Sequence, residues 1–324
     1  MTGSDNLFIH VEENGISGVG EMAPGSTEGA DTPKKGEKML ADFCASEKSS
    51  NSIQENYDNA IEAGVAPCVV AALDMALWDL RAKQASLPLY KLLGLSRKVV
   101  PTSVTVGINP PEVVRERIPL LLDGTGVKAL KIKLGSPEGL DADQEMFSAV
   151  LEMTKNRSTI IRVDANGGWS VPDAKKMMQW LADRGVEYIE QPLKKGQEDD
   201  LIHLFKDRPL PIYVDESCRV SSDIPNFADR VDGVNLKLMK CGGITEALRI
   251  VSTARAFDLK TMIGCMGESS VSIAAGASIG SLFDYIDLDS HLNLDPDPCN
   301  GAEMTDGRIL PSDNLGHGGS ITNA

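Results

Sequence analysis

Short runs of apolar and β-branched residues alternate with amphipathic stretches from about residue 99 to residue 290. Eight of these runs predict strands, and most are separated by a stretch long enough for a helix. They read VPTSVTVGI, ALKIKLG, TIIRVDA, VEYIEQP, LPIYVDE, GVNLKLM, KTMIGCM and FDYIDLD. Strands that alternate with helices form parallel sheets, and eight such units favour a closed barrel over an open sheet.

The two ends of the chain carry different patterns. Alternating residues on either side of an ENG turn predict a hairpin over residues 7–21, and a polar helical region is expected from about 34 to 63. Residues 69–80 are apolar on nearly every side, which is typical of a buried helix. Beyond residue 290, many Gly, Pro, Asp and Asn residues predict mostly irregular structure, with one small hairpin compatible with GAEMTDGRILP.

Charge and composition narrow the classes of protein that fit. The 324 residues include 32 basic and 47 acidic side chains, a formal net charge of −15, which disfavours binding to nucleic acid or to an anionic membrane surface. Neither a membrane-spanning run nor a secretory signal is visible, so we expect a cytoplasmic protein. The six cysteines are widely spaced, lack a C-x-x-C pair and are expected to be reduced thiols.

Three acidic residues lie at equivalent positions on consecutive predicted strands. IIRVD ends in Asp164, VEYIE in Glu190 and PIYVD in Asp215, at intervals of 26 and 25 residues. Because the carboxyl ends of barrel strands converge, we expect the three carboxylates to meet, and their mutual repulsion then requires a cation. Oxygen ligands alone favour Mg²⁺, and no His or Cys shares the pattern to favour zinc.

Two further points concern these acids. Asn166 lies two residues after Asp164; if the strand continues that far, Asn166 shares its face and orients a metal ligand. The alternative to a metal site is that each acid caps the helix that follows its strand.

Lysines occupy inward positions on two of the predicted strands. Lys131 and Lys133 are two residues apart in ALKIKLG, so they share a face, and their apolar neighbours are expected to face the helices. Lys237 occupies a comparable position four strands later, which is half the circumference of an eight-stranded barrel. We therefore expect Lys133 and Lys237 to face each other across the barrel mouth.

Two lysines placed in this way suit the movement of a proton from one face of a carbon to the other. One lysine would remove an α-proton as the amine, and the other would return a proton as the ammonium. A divalent cation, a second ammonium and partial burial would lower the lysine pKa from its ordinary value of about 10.4. The metal would stabilise the dianionic enediolate. The alternative is an ion network in which Lys133 and Lys237 pair with the strand-end acids.

The last predicted strand carries Asp287 and Asp289, which are two residues apart and therefore share its inward face. The metal site already has its ligands, so these two acids need another role. Because they lie opposite the metal, they are suited to bind a substrate ammonium. A solvated acidic loop is the alternative.

Several motifs together resemble the enolase superfamily, in its muconate lactonizing enzyme-like branch. KIK, VDANGGW, EQP, VDES, NLKLMKCGG and the final DLD follow in the order and spacing of that family, across nearly the whole chain. Within the branch the sequence is most similar to dipeptide epimerases of the L-Ala-D/L-Glu epimerase group. The discriminating feature is the D-x-D, which in that group binds the amino terminus of the dipeptide.

The resemblance implies an α/β fold: a modified TIM barrel of the (β/α)7β type with an α+β capping domain built from both chain ends. Residues 1–98 would begin the capping domain, 99–290 would form the barrel with the active site, and 291–324 would return to the cap. Family members carry further residues ahead of NLFIHVEENG. The N-terminal part of the cap, including a mobile loop that closes the site, is therefore expected to be incomplete.

The resemblance also implies roles for individual residues. It makes Asp164, Glu190 and Asp215 the ligands of one Mg²⁺ per subunit, and Lys133 and Lys237 the two acid/base lysines. It thereby assigns to the same five residues the chemistry that their positions suggest.

The other implied contacts line the substrate site. Lys131 would help to hold the substrate carboxylate, and Thr105 on the first barrel strand would touch the substrate. Cys265 and Gly267, in GCMGES at the end of the seventh strand, would line the site, and Gly267 would leave room for a substrate group. Glu268 follows this lining and would orient the site; no step of the reaction is assigned to it.

The implied function is the Mg²⁺-dependent epimerisation of a dipeptide such as L-Ala-D/L-Glu, by a two-lysine 1,1-proton transfer. A small-molecule dipeptide is then the partner, and we expect a homo-oligomer. One alternative is another enediolate enzyme on this scaffold: o-succinylbenzoate synthase, N-acylamino acid racemase or a cycloisomerase. The D-x-D speaks against these, since their substrates lack a free ammonium. A catalytically weak scaffold or binding protein, supported only by the short cap, is the other alternative.

Overall fold

The structure is a computed structural model that describes residues 5–46 and 52–322. It begins with an antiparallel hairpin of β1 (Leu7–Glu13) and β2 (Ile16–Met22), which confirms the predicted hairpin. Four helices follow: α1 (Pro33–Cys44), α2 (Ile53–Glu62), α3 (Pro67–Gln84) and α4 (Leu89–Leu92). The region predicted as helical from 34 to 63 thus contains two helices, and its residues 47–51 lie outside the described residues.

Eight parallel strands then pair in chain order in one sheet, which confirms the predicted alternation of strands and helices. The strands are β3 (Ser103–Val106), β4 (Ala129–Lys133), β5 (Ile160–Asp164), β6 (Ile189–Glu190), β7 (Ile212–Val214), β8 (Gly233–Lys237), β9 (Lys260–Gly264) and β10 (Tyr285–Asp287). The helices are α5 (Pro111–Leu122), α6 (Leu140–Thr154), α7 (Val171–Ala182), α8 (Ile202–Phe205), α9 (Leu238–Cys241), α10 (Ile244–Ala256) and α11 (Ser270–Ser278). A parallel bridge between Thr102 and Ile286 joins the first and last strands and closes the barrel.

Inward-facing residues fill the barrel in layers, because alternate residues of a strand point to the same side. At the amino-terminal end, Tyr188, Tyr213 and Tyr285 pack with ring centroids 4.9 to 5.4 Å apart. The guanidinium of Arg162 lies 4.9 Å from the Tyr285 ring centroid and forms part of this plug. Asp164 follows Arg162 by two residues on β5, so it points inward one layer higher, at the carboxyl-terminal mouth.

The hairpin packs closely on α3, the helix predicted to be buried. Gly20 on β2 makes this approach possible, because a Cβ at that position would lie 1.9 Å from the carbonyl oxygen of Ala72. Asp79 of α3 is fully buried and accepts a hydrogen bond of 2.9 Å from the backbone N–H of Val19. The buried helix predicted over residues 69–80 is therefore confirmed.

The last part of the chain returns to the hairpin. It forms the short strands β11 (Cys299–Asn300), β12 (Met304–Thr305), β13 (Arg308–Ile309) and β14 (Ser320–Ile321), and the β12–β13 pair is the predicted small hairpin. The ring Nε2 of His317 lies 2.8 Å from the carbonyl oxygen of Val19, and its backbone N–H donates to Asp79 at 2.9 Å. The domain bounds at 98 and 290 stay predictions.

Two sequence expectations concern the chain as a whole. The six cysteines, all in the described ranges, are free thiols. Over residues 5–46 and 52–322, no helix has the length and apolar character needed to cross a membrane.

Candidate active site

Three buried carboxylates meet at the mouth of the barrel. Asp164 is the last residue of β5, Glu190 is the last residue of β6, and Asp215 directly follows β7. Each of the three offers a carboxylate oxygen, and these oxygens lie within 4.8 Å of one another. The structure thus brings together the three acids whose register the sequence predicted.

Hydrogen bonds from other parts of the barrel hold two of these carboxylates in place. Asn235 on β8 donates from Nδ2 to Glu190 Oε1 at 2.6 Å. Gln191 links the ends of two strands, because its Oε1 accepts from the backbone N–H of Asp215 at 2.9 Å. The buried ammonium of Lys240 donates to the side chain of Asp215 and to the carbonyl oxygen of Asn235. All three residues lie in the EQP and NLKLMKCGG motifs, but no supporting role was predicted for them from the sequence.

Three further lysines, besides Lys240, surround the carboxylates. Lys133 Nζ lies 2.5 Å from Asp164 Oδ2, and Lys237 Nζ lies 2.8 Å from Asp215 Oδ2. Lys131 is almost fully buried and lies 3.3 Å from Glu190 Oε2. The pairs formed by Lys133 and Lys237 are those of the ion network given above as the alternative to catalysis. The pairing by itself is therefore compatible with a catalytic role and with a structural one.

Burial and neighbouring charges together shift the pKa values of these groups. Burial, followed by the negative charge of Asp164, raises the pKa of Glu190 to about 7. Burial would also raise the pKa of Asp215, but the ammonium groups of Lys237 and Lys240 hold it below its ordinary value. The pKa of Lys237 is raised rather than lowered in this structure, because the attraction of Asp215 outweighs burial and the repulsion from Lys131.

The carboxylate set suits Mg²⁺. All three side chains offer oxygen, they approach one another within the span of a single ion, and they are buried where uncompensated negative charge is costly. Hard divalent cations prefer such ligands, whereas zinc prefers nitrogen and sulfur.

A cavity of about 850 Å³ opens beside the carboxylates, between the barrel mouth and the N-terminal hairpin. Lys131, Lys133 and Lys237 line it from the barrel side, and Asp287 and Asp289 line it from the end of β10. The sequence-predicted contacts Thr105, Cys265 and Gly267 line it as well. The cavity is therefore shared by the lysines, the acid pair and every predicted substrate contact.

The acid pair is held rigidly. Asp289 Oδ2 accepts a hydrogen bond of 2.6 Å from the backbone N–H of Thr105, and Cys265 Sγ lies 3.2 Å from the carbonyl oxygen of Asp287. Asp287 forms an ion pair with Lys131. Burial, followed by the charge of Asp287, raises the pKa of Asp289 to about 6.

Asn166 reaches the site by a different route from the one expected, and Glu268 lies behind the lining that it follows. β5 ends at Asp164, so Asn166 does not share a strand face with it; the chain turns back at Asn166, where φ is +45°. Its backbone N–H then donates to Asp164 Oδ1 at 2.8 Å. Glu268 is buried behind the cavity wall, accepts from Ser272 Oγ at 2.6 Å, and has its pKa raised to about 7, mainly by burial.

The cavity also has a wall that the sequence analysis did not predict. Asn6, Phe8 and Glu21 of the N-terminal hairpin region line it from the side opposite the barrel. A hairpin alternation predicts which residues share a face, but it does not indicate what that face covers. The sequence held no signal for this contact.

The chain was compared with known proteins. A family model described as the N-terminal domain of mandelate racemase / muconate lactonizing enzyme matches residues 2–94, and one described as enolase C-terminal domain-like matches residues 114–324. A hydrophobic dipeptide epimerase from Roseobacter litoralis is 69% identical over 99% of this chain and 93% of its own length. The L-Ala-D/L-Glu epimerase of Escherichia coli is 33% identical over 94% of this chain and 90% of its own length.

Among solved structures, a dipeptide epimerase from Enterococcus faecalis, complexed with Mg and the dipeptide L-Leu-L-Tyr, superposes with a TM-score of 0.88. It is 32% identical, and the match covers 98% of this chain and 92% of that one.

Proposed function

Because the chain belongs to the mandelate racemase / muconate lactonizing enzyme family of the enolase superfamily, we propose that it is a Mg²⁺-dependent dipeptide epimerase. The observation that carries the proposal is the placement of two kinds of acid on opposite sides of one barrel mouth. The buried triad lies on β5 to β7, and Asp287 and Asp289 lie at the end of β10, four strands from Glu190. A metal site for a carboxylate and an anionic site for an ammonium together fit a dipeptide with a free amino terminus.

The proposed roles follow from this arrangement. Asp164, Glu190 and Asp215 would hold Mg²⁺, which when bound supplies Lewis-acid stabilisation of the substrate carboxylate as negative charge develops there. Lys133 and Lys237, on strands half a barrel apart, would remove the α-proton from one face and deliver a proton to the other.

Lys131 would contribute in a different way. It lies between Glu190 and Asp287, where its ammonium would neutralise the substrate carboxylate. Its pKa is held well above its ordinary value: burial opposes this, but the carboxylates of Asp287 and Glu190 outweigh burial. These carboxylates favour the charged form of Lys131, which suits the binding of a substrate carboxylate.

We also propose that the preferred dipeptides carry an apolar side chain. The relative from Roseobacter litoralis, at 69% identity, is a hydrophobic dipeptide epimerase. The cavity lining includes the apolar Phe8, Leu294, Pro296 and Pro298 and the acidic Asp5 and Asp295. Apolar side chains would gain free energy by burial there, whereas acidic side chains would be repelled.

Exchange of the substrate α-proton is the most direct test of the proposed function. Incubation with Mg²⁺ in deuterium oxide should label and epimerise dipeptides with apolar side chains, and should act less on those with a terminal Glu. Mass spectrometry combined with chiral chromatography measures both events in the same sample. Absence of exchange over a broad dipeptide library, with the protein folded and Mg²⁺ bound, would refute the proposal.

The acid pair should select for the free amino group. Asp289→Asn should raise KM by about tenfold or more, because it removes the charge from a buried hydrogen bond to the substrate ammonium. Asp284→Asn is the matched control, since Asp284 lies just before β10 at the opposite, exposed end. Steady-state kinetics measure both variants. If the parent enzyme turned over N-acetylated and free dipeptides equally well, the acid pair would not have this role.

No contact in the site specifically supports the other enediolate enzymes named above. Asp287 and Asp289 face the cavity, and the substrates of those enzymes have no ammonium group for this acid pair to bind. A cytoplasmic location and a homo-oligomeric state stay predictions from the sequence.

A further inference from the structure

Glu21 makes an unusually dense set of contacts for a carboxylate on a hairpin strand. It belongs to β2, is fully buried and lines the cavity. Its Oε1 accepts from the backbone N–H of Ser269 at 2.9 Å, and its Oε2 accepts from Ser269 Oγ at 2.7 Å and from the backbone N–H of Ser272 at 3.1 Å. Every one of these donors belongs to the barrel, about 250 residues away along the chain.

These contacts fasten the loop of residues 265–269, which joins β9 to α11, to the hairpin. Asn6 reinforces the attachment, because its Nδ2 donates to Glu21 Oε1 at 2.6 Å and to the carbonyl oxygen of Gly267 at 2.8 Å. Within this loop, Cys265, Met266 and Gly267 line the cavity. The hairpin therefore holds the loop that forms this wall of the cavity in position.

The same loop in turn supports the acid pair. Cys265 Sγ contacts the carbonyl oxygen of Asp287 and lies 3.7 Å from Asp289 Oδ1. The backbone of Glu268 exchanges two hydrogen bonds with the hydroxyl of Ser290, the residue after Asp289. A continuous series of contacts thus leads from Glu21, through the loop, to the residues proposed to bind the substrate ammonium.

We propose that Glu21 is a positioning residue that sets the place of loop 265–269 and, through it, of the acid pair, so that affinity for the dipeptide depends on a contact between hairpin and barrel. The proposal rests on the proposed function. Glu21 touches neither the metal ligands nor the two lysines. Substitution of Glu21 should therefore change KM, while Mg²⁺ affinity and kcat stay close to those of the parent.

The test compares Glu21→Ala, Glu21→Gln and a control. Glu21→Ala should raise KM at least about tenfold, since several hydrogen bonds to a buried charge are lost together. Glu21→Gln keeps one of the two acceptor oxygens and should lie between Glu21→Ala and the parent. Glu28→Gln is the matched control, because Glu28 is also a buried hairpin-side carboxylate that pairs with the barrel, through Arg219, but lies outside the cavity.

Hydrogen exchange followed by mass spectrometry gives a readout that does not depend on activity. In Glu21→Ala the amides of residues 265–272 should exchange at least about tenfold faster than in the parent, with little change elsewhere, and Glu28→Gln should leave them unaffected. Uniformly faster exchange along the chain, or an unchanged KM in a folded Glu21→Ala protein, would overturn the proposal. If the parent epimerised no dipeptide, the proposed function would fail, and the exchange at residues 265–272 would still decide whether Glu21 positions the loop.

Discussion

Lys237→Ala and Lys133→Ala should each abolish epimerisation, with a loss of turnover of at least about a hundredfold and up to ten-thousandfold. Both proton transfers are needed for one inversion, so neither single variant can complete it. Each variant should nevertheless exchange the α-proton of the one isomer that its remaining lysine faces. The two variants should therefore label opposite isomers when solvent deuterium is incorporated.

This asymmetry separates the catalytic role from the ion network. The structure pairs Lys133 with Asp164 and Lys237 with Asp215, and a purely structural role for these pairs predicts loss of folding or of metal binding without stereochemical preference. Lys260→Ala is a suitable control, since Lys260 lies at the opposite end of barrel strand β9 and is exposed. A folded Lys237→Ala protein that interconverts the isomers at the parent rate would exclude Lys237 from the reaction.

Removal of the metal should have an effect of comparable size. Chelation with EDTA should abolish epimerisation, and added Mg²⁺ should restore it, because without a divalent cation the charge that develops on the substrate carboxylate lacks its main stabilisation. Glu190→Gln should weaken Mg²⁺ binding strongly, since it removes the charge of the central member of the triad. Isothermal titration calorimetry measures that binding without reference to activity.

Asp143→Asn is the matched control for this variant. Asp143 is also buried and also accepts several hydrogen bonds, among them one of 2.9 Å from Trp169 Nε1, but it belongs to α6 and not to the triad. Its substitution should lower stability and leave Mg²⁺ affinity unchanged. If Glu190→Gln bound Mg²⁺ as tightly as the parent, the triad would not be the metal site.

The sequence predicted those parts of the site that depend on strand register. Asp164 and Glu190 end their strands, and Lys131 lies two residues before Lys133, so a period of two and a common barrel edge were enough to bring them together. The order of the eight strands followed once a closed barrel was predicted, because the strands of a (β/α) barrel pair in chain order.

The parts that were missed depend on turns and on contacts distant in sequence. Asn166 was predicted to orient a metal ligand, but its route was not: it reaches Asp164 through a left-handed turn, which a strand alternation does not reveal. Lys240 lies on a short helix after β8, and only the fold shows that its ammonium returns to Asp215. Glu21 meets partners about 250 residues away, and nothing in its own segment distinguishes it from an exposed acid on a hairpin.

The return of the chain to the hairpin has a consequence for the order of assembly during synthesis. Val19 and His317 are 298 residues apart, yet they share a hydrogen bond, and Asp79 receives one donor from each of them. A ribosome that makes the chain from its amino end completes every barrel strand before His317 emerges. The buried carboxylate of Asp79, which also accepts a hydrogen bond of 2.6 Å from Lys83 Nζ, therefore lacks one of its three donors until His317 has been made. Because contacts distant in sequence form more slowly than local ones, we expect the attachment of the C-terminal segment to the hairpin to be a late step in folding.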